Sequence, residues 1–549
     1  MKNLKCKMKN KIITPHFAAV SNFKKCHCER WRQRRQSAAI SILYKFCISL
    51  FGFYIIVLFG CNAADDKATP STSESIKQPT RPDAIGARPN ILMISMDCVA
   101  ASHLSCYGYP RLTTPNVDEV ARQGILFTQA LTQGDWTIPS HCSLFTSLYP
   151  ISHGVNSRTD RLNNQALTLA EILKLYNYDT AAFTGGGDLN IRYGYSQGFD
   201  IYYHRDASRW CPFRDSIPRA INWLNARRTT HNAQPFFLFL HGYDVHRPYS
   251  SISDSYRHRW ISEHPEIDLR LDEIMSNWRF SKKFEQDLLS SPVLRQHQIA
   301  HYDGAINYAD EQIGGFLAAL EKIEPLDNMM IIIFSDHGSI EKILGKDRFH
   351  VPLIIKLPLS LKSAISNPQS KINTQVQLID IMPTIIDYLS IPIPHQAQGR
   401  SLKPLIENTA SPNFNKYVFS NTTEDDGVFS FRVRTDKWKL VCTPFPQTEA
   451  GQHYAVQLYD CVNDQTEDKN VAQEYPAVVT ELEKQLCGLW KEIENQRIKP
   501  VAAGKITPEM LKAIRQHGYW TENDNSAGDI SVKKHETEMK SETIIITDD

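Results

Sequence analysis

From Arg88 onwards the chain alternates short apolar runs with amphipathic stretches. Short apolar runs between polar residues are typical of buried strands, whereas apolar positions three or four residues apart are typical of helices. This alternation predicts an α/β domain built on a largely buried sheet. The predicted strands are Asn90–Met96, Thr180–Thr184, Phe236–Leu240 and Met329–Phe334, and the predicted helices are Thr114–Gly124, Leu167–Tyr176 and Ala305–Glu321.

The pattern changes after Pro404, where Glu407–Asn415 is polar and contains proline. Such a segment marks a candidate domain boundary. The elements predicted beyond it are strands in Arg432–Val441 and Gln457–Asp460 and a covering helix at Ala477–Ile493. We therefore predict a larger domain over 88–406 and a smaller α+β domain over 407–520. Residues 521–549 are polar and charged without periodicity, which predicts a disordered tail.

Residues 1–61 carry a basic leader and then an apolar stretch from Phe46 to Phe59, which is typical of an export signal. The stretch ends in LFGC, which resembles a bacterial lipobox with Cys61 as the lipidated residue. The alternative is an uncleaved anchor, because Ser41–Gly60 matches the roughly 20 residues that span a bilayer. Either interpretation predicts an exported, membrane-anchored protein, with residues 62–87 as a flexible linker.

Composition narrows the function classes. The formal net charge is +1, so no global positive field recruits nucleic acid, and we expect no nucleic-acid partner. Seven cysteines follow Cys61, and their spacing matches no zinc ribbon. Most are interpreted as small core residues, and an oxidising compartment would allow a disulfide between Cys442 and Cys461.

Polar side chains follow several predicted strands. Asp97 comes directly after the first strand, His241 after the FFLFL strand, and Asp336 and His337 after the MMIIIF strand. Ligands of open α/β sheets collect beyond the carboxyl ends of strands, and carboxylates gathered there suit a hard divalent cation. The alternative for each aspartate is a turn or a helix cap.

Thr137 precedes a predicted apolar helix in the sequence WTIPSHCSLF. Pro139 suits the first helical turn, so Thr137 would lie at a helix N-terminus, where backbone amides favour an oxyanion. The alternative role for Thr137 is a simple helix N-cap.

The segments RPNILMISMD, TTPNVDEVARQG, WTIPSHCSLFTSLYPISHGV, PFFLFLHGYDVHRPY and IIIFSDHGS closely resemble the sulfatase family. Further matches follow in family order, and the resemblance covers roughly Arg88 to Trp520. It implies an alkaline-phosphatase-like fold, with a central mixed sheet flanked by helices and a smaller C-terminal α+β subdomain.

In this resemblance Asp97, Thr137, Asp336 and His337 fall on metal-site positions, and Thr137 also falls on the position of the nucleophile. The family commonly holds one divalent ion there. Oxygen ligands suit Ca²⁺ or Mg²⁺, and the imidazole of His337 leaves Mn²⁺ or Zn²⁺ open.

Three further residues correspond to substrate positions of the family. His246 falls where family members place a histidine that contacts the substrate or protonates the leaving group; its alternative is a surface loop residue. His241 would bind substrate or orient a neighbour. Lys346 matches a lysine that pairs with the anionic substrate.

The sequence departs from the family pattern at several positions. Sulfatases make formylglycine from Cys or Ser in C/S-x-P-S-R, whereas Thr137 and His141 stand at those positions, so no formylglycine is expected. Cys98 stands where the family often has a second aspartate, which removes one oxygen ligand. The lysine and histidine that often follow the TGGG region are absent around Asp188.

These features predict a metal-dependent hydrolase of phosphate or sulfate esters with Thr137 as the nucleophile, and the chemistry favours phosphorus. The substrate would be a small molecule, a glycan or a lipid head group. One alternative is a phosphoethanolamine or phosphoglycerol transferase, since related transferases resemble this arrangement in using threonine. The other is a sulfatase-fold protein that binds glycans without turnover.

Overall fold

The structure of the protein is a computed structural model. It describes residues 88–205, 210–229, 234–249, 252–276, 286, 288, 290–339, 348–366, 368–410, 414–423, 429–443, 455–464, 467–494, 496–503 and 544–546. The predictions for the leader, Cys61, the linker and Lys346 lie outside the described residues.

A mixed sheet forms the centre of the described chain, in the order β11-β2-β10-β8-β1-β7-β5-β6-β18. Neighbours β8, β1, β7, β5 and β6 run parallel, while β10 is antiparallel to β8 and β2. The predicted mixed sheet is therefore confirmed. Its strands are β1 Asn90–Met96, β2 Ile125–Phe127, β5 Asp179–Thr184, β6 Ile201–His204, β7 Phe236–Gly242, β8 Met329–Phe334, β10 Leu353–Lys356, β11 Lys371–Ile372 and β18 Ile544–Ile546.

The sheet is buried on both faces. Ile91 and Met93 of β1 face one hydrophobic core, and Leu92 and Ile94 face another on the opposite side. Successive strand residues point to opposite faces, so a strand covered on both sides must be apolar at nearly every position. This explains the continuous apolar run that identified β1 in the sequence.

Helices cover both faces of the sheet. A capping box of Thr168 and Glu171 starts α4, and Pro115 stands in the first turn of α1. None of the described helices is both long and apolar enough to cross a bilayer. The helices are α1 Pro115–Gln123, α2 Thr137–Thr146, α3 Pro150–His153, α4 Leu169–Leu175, α5 Phe213–Thr229, α6 Asp254–Arg257, α7 Pro265–Ser276, α8 Pro292–Glu321, α9 Leu359–Lys362, α10 Ile381–Tyr388, α11 Lys403–Ile406 and α12 Pro476–Glu494.

A second, antiparallel sheet has the order β13-β14-β15-β16, and α12 packs on it. Its strands are β13 Val418–Thr423, β14 Phe429–Arg434, β15 Trp438–Thr443 and β16 Ala455–Asp460. The prediction of a strand across Arg432–Val441 is wrong, because the Thr435 hydroxyl accepts a hydrogen bond from the Trp438 amide (2.9 Å) and closes a hairpin turn. The shorter pairings join β3 Ala130–Leu131 to β9 His350–Val351 and β12 Val376–Gln377, and β4 Asp160–Arg161 to β17 Val501–Ala502.

Cys442 and Cys461 are not joined by a disulfide. The Cys461 amide bonds the carbonyl of Lys437, which precedes β15, while Cys442 lies five positions further along that strand. A strand rises about 3.3 Å per residue, and a disulfide needs Cα atoms within about 7 Å. The suggested disulfide is therefore wrong, because both cysteines are in one small sheet but at different levels of it.

The prediction that 521–549 lacks structure is wrong for Ile544–Ile546. This short strand pairs in parallel with Ile201–Tyr203 of β6, at the edge of the central sheet. Three consecutive β-branched residues suit a strand, and an edge supplies unpaired backbone groups for them to bond. The surrounding charged composition concealed this local preference.

Candidate active site

The carboxyl ends of three neighbouring strands bring the predicted residues together. Asp97 follows β1, His241 lies within β7, and Asp336 follows β8. His241 Nε2 is 3.9 Å from Asp97 Oδ1, and the Cys98 amide donates to Asp336 Oδ1 (3.3 Å). All these side chains are buried, so the sheet edge forms a closed polar site.

Thr137 is the first residue of α2, as the sequence predicted. Trp136 is the N-cap residue, and it makes no side-chain capping bond, so the N-cap interpretation of Thr137 is wrong. The Thr137 hydroxyl instead donates to Asp97 Oδ1 (3.1 Å) and lies 3.4 Å from His337 Nε2. A hydroxyl at a helix N-terminus between a carboxylate and an imidazole has the placement required of a nucleophile.

A hydrogen bond to the backbone fixes the ring orientation of His337. Nδ1 lies 2.8 Å from the Gly338 carbonyl oxygen, so Nδ1–H donates there and Nε2 faces the site. Nε2 is 3.5 Å from Asp336 Oδ2. Because a neutral Nε2 lone pair and a carboxylate repel each other, a proton or a metal ion between them would stabilise this arrangement.

Two carboxylate oxygens support the metal alternative. Asp97 Oδ2 and Asp336 Oδ2 are buried, and neither has a hydrogen-bond partner among the described residues. Unpaired buried carboxylates are costly unless a cation compensates them. Asp97, Cys98 and His337 also offer ligand atoms that lie within 4.8 Å of one another. The residues therefore fit a divalent ion.

The charges at the site act on one another. Burial raises the pKa of Asp97 and of Asp336, and the nearby His337 opposes the shift in both. Burial acts to lower the pKa of His337, but Asp336 and Asp97 outweigh it, so the pKa of His337 is raised. The charged forms therefore stabilise one another: a positive charge on His337 favours the two carboxylates, and the two carboxylates favour protonated His337.

His141 is part of the site, although no role was predicted for it from the sequence. Its Nδ1 donates to the Thr137 carbonyl (2.9 Å) and lies 3.6 Å from Asp336 Oδ2, while Nε2 is 3.1 Å from the Ser95 hydroxyl. Burial lowers the pKa of His141 to about 4, so the ring is neutral at pH 7. His141 therefore holds the first turn of α2 against β1. The feature of the sequence that could have predicted this role is the position of His141 four residues after Thr137.

His241 and His246 lie at different depths. His241 is buried with both ring nitrogens unpartnered among the described residues, and burial lowers its pKa to about 4. Its ring centre is 4.5 Å from that of Tyr243, which is 5.9 Å from that of His246. His246 Nδ1 donates to the Arg247 carbonyl oxygen (2.7 Å). His241 therefore approaches Asp97 without a hydrogen bond (3.9 Å), and the Tyr243 ring lies between His241 and His246.

Cys98 occupies the gap left by the family's second aspartate. Its backbone has φ of +62°, and Sγ lies 3.8 Å from His337 Nε2. Burial, Asp97 and Asp336 raise the pKa of the thiol well above its usual range, and Arg247 opposes them. A sulfur atom therefore stands beside the candidate metal ligands.

A buried ion pair lies against Trp136, the residue that precedes Thr137. Arg158 donates to both oxygens of Asp188 (3.0 and 2.6 Å), and its guanidinium lies 4.8 Å from the centre of the Trp136 ring. The sequence around Asp188 lacks the lysine and histidine that the family often has there, and Arg158 comes from an earlier segment of the chain. No local sequence pattern predicted this ion pair.

We expect Asp188→Ala to lower the free energy of unfolding by roughly 3–5 kcal/mol, because it removes the carboxylate of a buried ion pair while the Arg158 charge stays buried. Chemical denaturation measures the loss. Lys174→Ala is the control: its ion pair with Asp200 is partly exposed and should contribute at most about 1 kcal/mol. Equal losses for the two variants would contradict the importance given to the Arg158 pair.

The second sheet borders the site. Asp135 is buried, forms an ion pair with Arg348 (2.9 Å) and accepts a hydrogen bond from the Thr422 hydroxyl of β13. The Asn421 amide bonds the Gln133 carbonyl (3.1 Å). Lys346, the predicted substrate-binding residue, lies outside the described residues; Arg348 is the nearby cation that the structure describes. The segment before Thr137 is therefore fixed by both sheets.

Two family models and many known proteins match the chain. A family described as Sulfatase matches residues 89–391, and one described as N-sulphoglucosamine sulphohydrolase, C-terminal, matches residues 336–492. An N-acetylglucosamine-6-O-sulfatase of Bacteroides thetaiotaomicron is 23% identical over 447 residues, which cover 64% of this chain and 78% of that protein.

Two solved structures share the fold. One, in complex with its substrate D-glucosamine-2-N,6-O-disulfate, is 21% identical with a TM-score of 0.57, covering 74% of this chain and 98% of its own. The other is a phosphonate monoester hydrolase of Agrobacterium radiobacter, 21% identical with a TM-score of 0.58, covering 74% of this chain and 96% of its own. One fold thus carries both sulfur and phosphorus ester chemistry.

Proposed function

Because the chain belongs to the sulfatase family of the alkaline-phosphatase-like superfamily, we propose that it is a metal-dependent ester hydrolase in which Thr137 is the nucleophile. The observation that carries this proposal is the Thr137 hydroxyl at the start of α2, bonded to Asp97 and 3.4 Å from His337 Nε2. The favoured substrate is a phosphate ester.

The metal ligands would be Asp97, Asp336, His337 and the Thr137 hydroxyl, with Cys98 beside them. A bound divalent ion would lower the pKa of the Thr137 hydroxyl and screen the anionic ester. Support comes from the two buried carboxylate oxygens that have no partner among the described residues. The oxygen ligands suit Ca²⁺ or Mg²⁺, while His337 and Cys98 suit Mn²⁺ or Zn²⁺.

The reaction begins with attack by Thr137 Oγ1 on phosphorus, as its proton leaves along the hydrogen bond to Asp97 Oδ1. The new oxygen–phosphorus bond forms opposite the ester bond that breaks, and the backbone amides at the start of α2 face the charge that develops. His246, acting as the imidazolium, gives its Nε2 proton to the departing alcohol while Nδ1–H stays on the Arg247 carbonyl. Water then attacks the phosphorus of phosphorylated Thr137 and loses a proton to His246 Nε2. The oxygen–phosphorus bond to Thr137 breaks, Asp97 returns a proton to Thr137 Oγ1, and phosphate is released.

The preference for phosphorus follows from the side chain itself. Formylglycine carries a second hydroxyl that expels sulfate by elimination, whereas threonine has one hydroxyl and offers no such exit. Water can attack phosphorus in a phosphothreonine directly. The second candidate is a sulfate ester of a glycan, which is favoured by the match to the N-acetylglucosamine-6-O-sulfatase. We also propose that residues 1–61 export and anchor the enzyme.

A panel of p-nitrophenyl esters tests the substrate class. We expect the full chain, supplied in turn with Ca²⁺, Mg²⁺, Mn²⁺ and Zn²⁺, to hydrolyse a phosphate monoester or diester at least about tenfold faster than the sulfate ester. Initial rates of p-nitrophenol release give the ratio. The reverse ratio would assign sulfate, and no release from any ester by a folded, metal-loaded chain would favour a transferase or a binding protein.

A further inference from the structure

A second group of metal-ligating side chains lies away from Thr137, where α6 and α7 meet α8. We call it the histidine cluster: His258, Asp268, His297 and His301. His258 follows α6, Asp268 lies on α7, and His297 and His301 are four residues apart on α8. Residues four apart project from one face of a helix, so both histidines face Asp268.

The distances within the histidine cluster match a metal polyhedron. Asp268 carboxylate oxygens lie 2.9 Å from His258 Nε2, 3.2 Å from His301 Nε2 and 3.5 Å from His297 Nδ1. Ligand atoms of His258, Asp268 and His301 are all within 4.8 Å of one another. A tetrahedral site with bonds of roughly 2.0–2.1 Å has ligand–ligand edges of about 3.3 Å, which is close to the three distances between the Asp268 carboxylate and the imidazole nitrogens.

Hydrogen bonding alone leaves the histidine cluster incomplete. Asp268 Oδ1, His297 Nδ1 and His301 Nε2 are buried and make no hydrogen bond to the described residues, although both nitrogens point toward that oxygen. The side chains of Asp268, His297 and His301 expose only 11%, 6% and 2% of their surface. Burying several unpaired polar atoms together is costly, and a cation at their centre would satisfy all of them.

The nearby positive charge of Arg257 does not stand alone. Its guanidinium is paired with Asp272 (2.7 Å), so the charge beside the histidine cluster is partly compensated.

We propose that the histidine cluster is a structural zinc site with three imidazole ligands and one carboxylate. Imidazole nitrogens and a single carboxylate at tetrahedral spacing favour Zn²⁺ over Ca²⁺ or Mg²⁺, which prefer six or more oxygens. His258, Asp268 and His301 would supply three ligands, and His297, whose Nδ1 lies 3.5 Å from Asp268 Oδ1, would supply the fourth after a small shift. A shell of four protein ligands is typical of a structural rather than a catalytic site.

The position of the histidine cluster indicates that a bound zinc ion would hold α8 in place. α6 rests directly on α8, since a Cβ atom at Gly304 would lie 2.2 Å from the Tyr256 carbonyl oxygen. The next residue after His301 is Tyr302, whose hydroxyl donates to the Cys98 carbonyl (2.8 Å) and accepts from the Ala100 amide (2.9 Å). Zinc would therefore fix α8 at the point where it supports the loop after Asp97.

Zinc stoichiometry of the full chain tests the site without relying on turnover. The chain is stripped with chelator, reloaded with Zn²⁺ and desalted, and zinc is counted by plasma mass spectrometry. We expect the double variant His297→Gln/His301→Gln to hold one zinc fewer than wild type and to melt at a lower temperature. His395→Gln, an exposed histidine outside the cluster, should retain the wild-type count.

The candidate active site holds its metal separately, so Asp336→Asn distinguishes the two. In that variant the remaining zinc should show X-ray absorption from nitrogen and oxygen ligands at about 2.0 Å with imidazole scattering, even if the double variant fails to fold. Equal zinc counts in wild type and the folded double variant, or no tightly bound zinc in Asp336→Asn, would overturn the site. Neither result depends on whether Thr137 is the nucleophile.

Discussion

Thr137→Ala is expected to lower kcat/KM for the best p-nitrophenyl ester by at least about 10³-fold, equivalent to about 4 kcal/mol of transition-state stabilisation. The substitution removes the only atom that would bond to phosphorus and leaves the metal ligands Asp97, Asp336 and His337 in place. Thr137→Ser retains the hydroxyl at the start of α2 and should keep activity within about tenfold of wild type. Steady-state kinetics on metal-loaded protein measure both.

Thr146→Ala is the matched control for this prediction. Thr146 lies on the same helix, is equally buried, and donates its hydroxyl to the Cys142 carbonyl (2.6 Å) at the opposite end. Its loss should cost roughly 1 kcal/mol of stability and leave kcat/KM unchanged. A wild-type rate for folded Thr137→Ala would remove Thr137 from the chemistry.

Asp336→Asn is expected to lower the active-site metal occupancy and to reduce kcat/KM by at least about 10²-fold, since even outer-shell partners of metal ligands contribute 10–100-fold to affinity. In the absence of metal, the same substitution should leave the free energy of unfolding unchanged or raise it. Burial raises the pKa of Asp336, and Asp97 adds to the shift, so the charged carboxylate destabilises the metal-free chain at pH 7. The neutral amide relieves this cost.

Thermal unfolding in chelator and in metal measures that reversal. The chelated variant should melt at or above the temperature of chelated wild type, and added metal should stabilise wild type more than the variant. Glu119→Gln, which changes an exposed carboxylate paired with the exposed Arg122, should behave as wild type in both conditions. Metal stabilisation of Asp336→Asn equal to that of wild type would exclude Asp336 as a ligand.

The strands of the central sheet were predictable because burial on both faces demands continuous apolar residues. β1 and β8 have the predicted bounds, and β7 extends the predicted strand to Gly242. α8 begins at Pro292 instead of Ala305, because its first turns carry polar and histidine residues that conceal the apolar period. Those same residues, in the sequence HQIAH, include the two helical ligands of the histidine cluster.

The candidate site was predictable where strand order determined it. Asp97 and Asp336 meet because β1 and β8 are parallel neighbours, and Thr137 joins them because α2 starts at the same edge. Cys98 and His141 complete the surroundings through side-chain directions that depend on long-range packing. The sequence pattern therefore predicts where strands and helices end better than it predicts which side chains from different elements are in contact.

Trapping the covalent intermediate tests the central claim most directly. Wild-type enzyme turning over its preferred phosphate ester is quenched in acid, digested, and analysed by mass spectrometry for the peptide that contains Thr137. The proposed mechanism predicts one added phosphoryl group on Thr137 during turnover and none in Thr137→Ala. Full turnover with an unmodified Thr137 peptide, or with a phosphoryl group on another residue, would contradict it.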